Sequence, residues 1–394
     1  MSTRADPSGS ARHGPAGLYI GLISGTSVAG IDCALIETGP EGTQLLATQA
    51  LEDSPALRTK ILAICHNGQV SLSDLGDTDV EIGKAFAAAA NALMRQEGLT
   101  ADQIVAIGSH GQTVYHQPQG THTFSLQLGD PNTIAALTGV TTVADFRQRD
   151  MAMGGQGAPL APLFHQHFFH APGQQTLVLN IGGMANITIV DMNPAACPTG
   201  FDTGPGNVLM DLWIEQYCGK PYDADGAWAA SGQVLPALLS VMMAEPYFSL
   251  PAPKSTGREL FNARWLGSAM QQALQLEGVA SYAPEDVQRT LLQLTVLSVC
   301  DAVAGCTGRS ITQGVIAVCG GGAHNRTLMS QLQIELPAYQ VVPSDDLGMP
   351  ADWVEAVTFA WLASNTIGGI AMDCSKLTGS RSPVILGGIY QSGR

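Results

Sequence analysis

The chain is short of charge. Asp, Glu, Lys and Arg make up only 13% of its 394 residues, and the basic share is the smaller, 18 Lys and Arg against 33 Asp and Glu. The resulting formal charge of -15 excludes a general binder of nucleic acid or of anionic membrane surfaces. Phosphate binding survives that exclusion, because backbone N–H groups and a Mg²⁺ ion can supply local positive charge. There is no CxxC pair and no cysteine–histidine cluster. Cys33, Cys65, Cys197, Cys218, Cys300, Cys306, Cys319 and Cys374 are scattered, which reads as reduced, mostly buried thiols in a cytoplasmic protein and argues against structural zinc. His165 and His167 stand two apart, on different faces of any helix. No apolar run reaches the length of a membrane span. Met1 to Ala16 is rich in Ser, Gly, Pro, Ala and Arg. Without an apolar core it is neither signal peptide nor anchor, and a disordered tail is expected over 1–16. GxxxxGK[ST], GxGxxG and GxSxG are all missing, which removes the Walker loop, the dinucleotide fingerprint and the serine-hydrolase elbow.

Glycine and apolar residues are plentiful: 45 glycines, and 45% hydrophobic residues. That mixture suits a glycine-rich α/β enzyme with room for two domains. Leu18 to Ser24 and Ile31 to Glu37 read as strands joined by a small-residue tip, Gly25 to Gly30. Leu177 to Asn180 and Asn186 to Val190 repeat the plan around Gly182-Gly183-Met184-Ala185. Helices are expected over Leu72 to Glu97, Asn262 to Leu276, Pro284 to Gly305 and Trp353 to Ser364, among others. Glycine-rich turns are expected to follow strands at Ser24, Ile107, Ile181 and Cys319. Strands alternating with helices give an α/β class, with ligands collecting at strand carboxyl ends.

Several stretches carry the chemistry. The two hairpin tips expose successive N–H groups suited to phosphate oxygens, although an ordinary tight hairpin explains either one alone. Gly320, Gly321 and Gly322 follow a buried strand. They suit a flat ring lying on backbone, or equally a tight strand-to-helix turn. Ser109, His110, Gln112, Asp145, Arg147 and Asp150 gather polar groups in glycine-rich surroundings, fit for a substrate. Gly200-Phe201-Asp202-Thr203-Gly204-Pro205-Gly206-Asn207 precedes an apolar helical run. Pro205 and Asn207 suit a helix mouth with free N–H groups. Asp202, held there, suits a general base, or is simply a turn residue. Asp32, Asp130, Asp145, Asp150 and Glu355 are rival carboxylates for Mg²⁺ or sugar hydroxyls.

The segments YIGLISGTSVAGIDCAL, IGSHGQTVYHQP, QLGDPNTIA, VADFRQRDMAMGGQGAPLAPLFH, VLNIGGMANIT, GFDTGPGNVLMD, YDADGAWAASG, KSTGRELFN, CGGGAHN, EAVTFAWLA and PVILGGIY together resemble the anhydro-N-acetylmuramic acid kinase family. They are collinear and span nearly everything after Ala16. The resemblance implies an actin-like fold: two ribonuclease-H-like domains closing a nucleotide and substrate cleft. Boundaries are expected at 17–172 and 173–394, with the final segment free to pack back on the first domain. It implies that 1,6-anhydro-N-acetylmuramic acid, ATP and water give N-acetylmuramic acid 6-phosphate and ADP, in peptidoglycan recycling. It also implies ATP and Mg²⁺ as cofactors and a cytoplasmic homodimer. Gly25, Thr26, Ser27, Val28, Ala29, Gly30, Ile31 and Asp32 match the family's ATP-binding hairpin, and Asp202 its catalytic base. Gly182, Gly183 and Gly320 to Gly322 complete the expected nucleotide site, with Glu355 as metal ligand. One departure stands out: the family tip reads GTSxDG, and Ala29 replaces its aspartate here. Two alternatives follow, a catalytically impaired nucleotide- or sugar-binding member and a kinase for another amino sugar.

Overall fold

A computed structural model describes residues 14–25, 28, 30–67, 70–307 and 313–393. Two compact units emerge. The first runs to Phe168 and takes in Asn193–Cys197 and the chain from Glu355 onward; the second comprises Phe169–Met192 and Pro198–Val354. Of the expected tail, residues 1–13 lie outside the described residues.

The elements in order are β1 (Gly17–Ser24), β2 (Ile31–Gly39), β3 (Gly42–Leu51), α1 (Pro55–Asn67), α2 (Leu72–Gln96), β4 (Ile104–Gln117), β5 (Phe124–Leu128), α3 (Pro131–Thr138), β6 (Thr142–Ala144), α4 (Phe146–Ala152), α5 (Ala161–Phe169), β7 (Gln175–Ile181), β8 (Met184–Ile189), β9 (Thr199–Pro205), α6 (Val208–Cys218), α7 (Ala227–Ser231), α8 (Pro236–Met243), α9 (Ala263–Glu277), α10 (Pro284–Thr307), β10 (Gly314–Cys319), α11 (Arg326–Glu335), β11 (Tyr339–Pro343), α12 (Val354–Ile367) and β12 (Gly388–Tyr390). Local chemistry sets several boundaries. The Ser71 hydroxyl accepts the Asp74 N–H at 3.0 Å and starts α2. Asp130 accepts the Asn132 and Thr133 N–H groups and starts α3, so its carboxylate serves as a helix cap.

Both units share one strand plan. The order is β3-β2-β1-β4-β6 in the first and β9-β8-β7-β10-β11 in the second. In each, the first three strands pair antiparallel and the last two join in parallel. This is the ribonuclease-H-like order, present twice, with β5 and β12 added to the first sheet. The first core forms where Ile20, Leu22 and Ile107 meet Phe86, Ala90 and Leu93 of α2. The second surrounds α10, whose Val287, Leu291, Leu294, Val296 and Val299 are buried. Pro284–Cys306 is by length and composition long and apolar enough to cross a membrane, contrary to the expectation from sequence, and more than half of its apolar stretch is buried inside the protein.

Three expectations change. The third strands, β3 and β9, have no place in the hairpin reading. The run Gly108 to Thr113 is strand, not turn: β4 continues to Gln117, paired with β1 through Gly21↔Gly108 and Leu22↔Ser109. Its glycine has another purpose. A Cβ on Gly21 would collide with the Ala356 carbonyl, and one on Gly108 with that of Phe359, so these glycines let α12 press onto the sheet. Asp202, finally, lies on β9 and not in a loop.

Candidate active site

In the second unit, Asp202 sits on an edge strand whose open side is clamped. Its N–H donates to the Lys254 carbonyl at 3.0 Å, and its own carbonyl accepts the Tyr247 hydroxyl at 2.7 Å. Lys254 donates to the Tyr247 and Phe248 carbonyls and lies 4.6 Å from the Tyr247 ring centre. The strand register slips between Ala185 and Asn186, opposite Asp202, and such bulges re-aim side chains. The carboxylate accepts one protein hydrogen bond among the described residues, from the Thr256 N–H to Oδ2 at 3.0 Å. Burial lifts its pKa to about 6; the Thr256 N–H opposes this and the Glu259 charge adds to it. The result is a carboxylate with a free oxygen and a proton affinity close to neutral pH, which is what a base acting on water requires.

The mouth of α6 departs from expectation. The N–H groups of Gly206, Asn207 and Val208 donate to the carbonyls of Gly183, Gly182 and Gly183 at 2.9, 2.8 and 3.1 Å. They are not free for an anion; they fasten the β7–β8 tip to α6. The tip itself has room. A Cβ on Gly182 or Gly183 would meet nothing closer than 3.8 Å. The Arg258 guanidinium stands 4.0 Å from that Gly183 position. It donates no hydrogen bond among the described residues, and its charge holds down the pKa of Asp211, which burial raises to about 6. Gly320, Gly321 and Gly322 divide. Side chains at Gly320 and Gly322 would strike Asn180 and Ile181 of β7, whereas Gly321 faces space, 3.7 Å from Asn207. Gly320 and Gly322 thus serve the turn, and Gly321 is the one open to a ligand.

In the first unit, Thr26, Ser27 and Ala29 lie outside the described residues. Around them the tip is held by backbone. Gly25 accepts the Val28 N–H at 3.0 Å, and Val28 accepts Arg58 Nε at 2.8 Å. Val28 and Ile31 are buried in the core, so they offer a ligand backbone only. Gly30, at φ 147°, would press a Cβ 2.6 Å from the Leu51 carbonyl. Asp32 lies half-buried on β2, opposite Ile23. Gln112 is a brace: its Oε1 accepts Ser24 at 2.6 Å, and its amide donates to Gly25 and Thr113.

Of the remaining polar residues, His110, Arg147 and Asp150 form one network; Ser109 and Asp145 stand outside it. Alternation along β4 puts Ser109 on the α2 side with Leu22 and Ile107, where its hydroxyl is buried without a partner among the described residues. His110 faces the other way and lies against the Phe359 ring at 4.5 Å. Arg147 Nε donates to His110 Nε2 at 2.8 Å, so His110 carries its proton on Nδ1 and gives it to the Gly111 carbonyl at 2.9 Å. Burial, then the Arg147 charge, hold the imidazole pKa well below its usual value, and it stays neutral. Arg147 Nη1 donates to the Gly157 carbonyl at 2.9 Å; Nη2 has no partner among the described residues. Asp150, fully buried, accepts the Gly157 N–H at 2.7 Å and the Thr378 hydroxyl at 2.8 Å. It is therefore structural and not open to substrate, a correction to its reading as a contact. Asp145 opens α4 in the left-handed region, φ 60°, and accepts the Tyr390 hydroxyl. Glu355 reaches solvent; desolvation by the groups packed around it raises its pKa and the Arg147 charge opposes the rise.

Arg258, Thr256 and Thr378 escaped the sequence reading. The first two lie in KSTGRELFN, whose Lys, Arg and Glu within a short Ser/Thr/Gly run were the available signal. Nothing near Thr378 marks it.

Residues 17–392 match the family model described as anhydro-N-acetylmuramic acid kinase. Proteins of that name from Coxiella burnetii (strain RSA 493 / Nine Mile phase I) and Pasteurella multocida (strain Pm70) are each 45% identical over 372 residues, 94% of this chain and 97% and 96% of theirs. The one from Shewanella halifaxensis is 46% identical over 372 residues, 94% of this chain and 98% of its own. A ROK family glucokinase structure from Streptomyces griseus covers 87% of this chain and 98% of its own at 15% identity, with a TM-score of 0.38.

Proposed function

The chain belongs to the anhydro-N-acetylmuramic acid kinase family, and we propose that it opens the 1,6-anhydro bridge and phosphorylates O6 in one coupled reaction with Asp202 as base. The family activity, ATP-dependent phosphorylation in cell-wall recycling, is the activity of this chain. The observation that carries the mechanism is the Asp202 carboxylate: partly buried, held by a single N–H among the described residues, and with a pKa raised to about 6.

Water attacks the anomeric carbon and gives a proton to Asp202. The C1–O6 bond breaks, its electrons go to O6, and O6 takes the γ-phosphoryl group while ADP leaves. Glycosidases need a second carboxyl group to protonate the leaving oxygen. Here the phosphoryl group captures it, so one carboxylate suffices. The substrate's lactyl carboxylate is anionic, and the Nη2 of Arg147, without a partner among the described residues and backed by neutral His110, offers it a charged donor. On the nucleotide side, the open tip at Gly182 and Gly183, Gly321 and Arg258 suit phosphates and a flat ring. No group of three or more His, Cys, Asp or Glu residues that could hold a metal occurs among the described residues. Mg²⁺ binds through phosphates, water and one or two carboxylates. Glu355 and Asp32 are the residues that would hold it. When bound, it would neutralise charge on the transferring phosphoryl group. A homodimer in the cytoplasm completes the proposal.

The test is mass spectrometry of the product formed from the anhydro-sugar, ATP and Mg²⁺ in ¹⁸O-labelled water. The expected product is a 6-phosphate with one label, at the anomeric oxygen. An unlabelled phosphate that keeps its anhydro bridge would overturn the coupling.

A further inference from the structure

The substrate network of the first unit does not end at the residues that face solvent. Thr378 lies far along the chain, between α12 and β12, and is 2% exposed. Its hydroxyl has two acceptors in reach, Asp150 Oδ1 at 2.8 Å and the Cys374 carbonyl at 3.2 Å, and the shorter contact is the one to Asp150. The other Asp150 oxygen accepts the Gly157 N–H at 2.7 Å. The Gly157 carbonyl accepts Arg147 Nη1 at 2.9 Å, and Arg147 Nε donates to His110 at 2.8 Å. Backbone pairing runs alongside: Gln156 N–H to the Thr378 carbonyl at 2.8 Å, and Arg381 N–H to the Met153 carbonyl at 3.1 Å. The segment around Thr378 thus straps the 153–157 loop in place.

We propose that Thr378 is a positioning residue for sugar binding, acting through Asp150 and Gly157 to fix the direction of the Arg147 guanidinium. The Asp150 carboxylate is pinned at both oxygens and holds the Gln156–Gly157 peptide by its N–H. The Gly157 carbonyl belongs to the next peptide, joined to the first through the Gly157 Cα alone, and it holds one edge of the guanidinium while His110 holds another. What is left, Nη2, has a single direction. A planar donor fork recognises a carboxylate by angle as well as charge, so a tilt upstream reaches the sugar. The proposal rests on reading Arg147 as a sugar ligand.

The test is steady-state kinetics on the full chain with Thr378→Val, Thr378→Ser, Arg147→Met and the double variant Thr378→Val/Arg147→Met. Thr378→Val keeps the shape and removes the donor; it is expected to raise the sugar KM about tenfold, the order of one lost charge-coupled hydrogen bond, with the ATP KM unchanged. Thr378→Ser restores the donor and is expected to fall within twofold of the parent. In the Arg147→Met background, Thr378→Val should add nothing further to the sugar KM, because both changes act on one link. A rise that multiplies independently in the double variant overturns the relay, as does a sugar KM unmoved by Thr378→Val alone. Arg147→Met with a normal sugar KM would instead remove Arg147 from the site and the relay with it. If Thr378→Val does not fold, Thr378→Cys, a weaker donor, is read in the same assay, and an unmoved sugar KM there overturns the proposal equally.

Discussion

Two carboxylates in this molecule, one fully and one partly buried, have opposite surroundings. Asp150, in the first unit, accepts hydrogen bonds at both oxygens and is closed to solvent. Asp202, in the second, accepts one, and burial leaves its pKa near 6. Burial raises the pKa of both, yet the one held at both oxygens is shut away from a ligand. A carboxylate bonded at both oxygens and closed to solvent organises its neighbours; one with an oxygen left over is free to take a proton. The count of partners, more than burial or glycine content, separates the structural acid from the chemical one.

The contrast can be broken most severely at Asp202. Asp202→Asn keeps the shape and removes the base, so turnover should fall by about 10²–10⁴, the usual worth of a general base, with sugar affinity by calorimetry little changed. A rate within tenfold of the parent would take Asp202 out of the role. The same variant should be more stable than the parent at neutral pH. The native carboxyl binds its proton more tightly than the unfolded one, so ionising it costs native stability as pH rises from about 4 to about 6. Removing it gains up to about 3 kcal/mol above pH 6, and the gain should vanish below about pH 4. Asp150→Ala should do the reverse. It leaves the buried Gly157 N–H without its acceptor and the Thr378 hydroxyl with only the Cys374 carbonyl at 3.2 Å, and denaturant unfolding should show a loss of about 2–4 kcal/mol. A fully stable Asp150→Ala protein would erase the distinction.

Much of this was legible before any coordinates. Two hairpins with small-residue tips announced two similar halves, because turn chemistry and period-2 patterning are local. The long helices, from Leu72 and from Pro284, followed their periodicity closely. Misreadings had tertiary causes. Gly108 looked like a turn because glycine permits one; it is there because α12 lies too close for a Cβ. Asp202 looked loop-borne because GFDTGPGN is rich in turn formers, but pairing with β8 and the Lys254 carbonyl keeps it a strand. β3 went unseen because its half-exposed run lacks a clean apolar face. Among the candidate residues, His110 and Arg147 met as a pair, Ser109 turned away, and Gln112 proved a brace. Spacing in sequence cannot report which side of a sheet a residue faces across a bulge. Thr378 was out of reach altogether, since its partner Asp150 is 228 residues away.

The central claim is that the Asp202 carboxylate accepts the proton of the attacking water. The pH dependence of kcat/KM for the anhydro-sugar, at saturating ATP and Mg²⁺, tests it most directly, because that ratio reports ionisations of the sugar-free enzyme. The account predicts activity falling tenfold per pH unit below an apparent pKa near 6, with that limb absent from the residual activity of Asp202→Asn. A parent profile flat from pH 5 to 8, or an Asp202→Asn profile with the same limb, would contradict it.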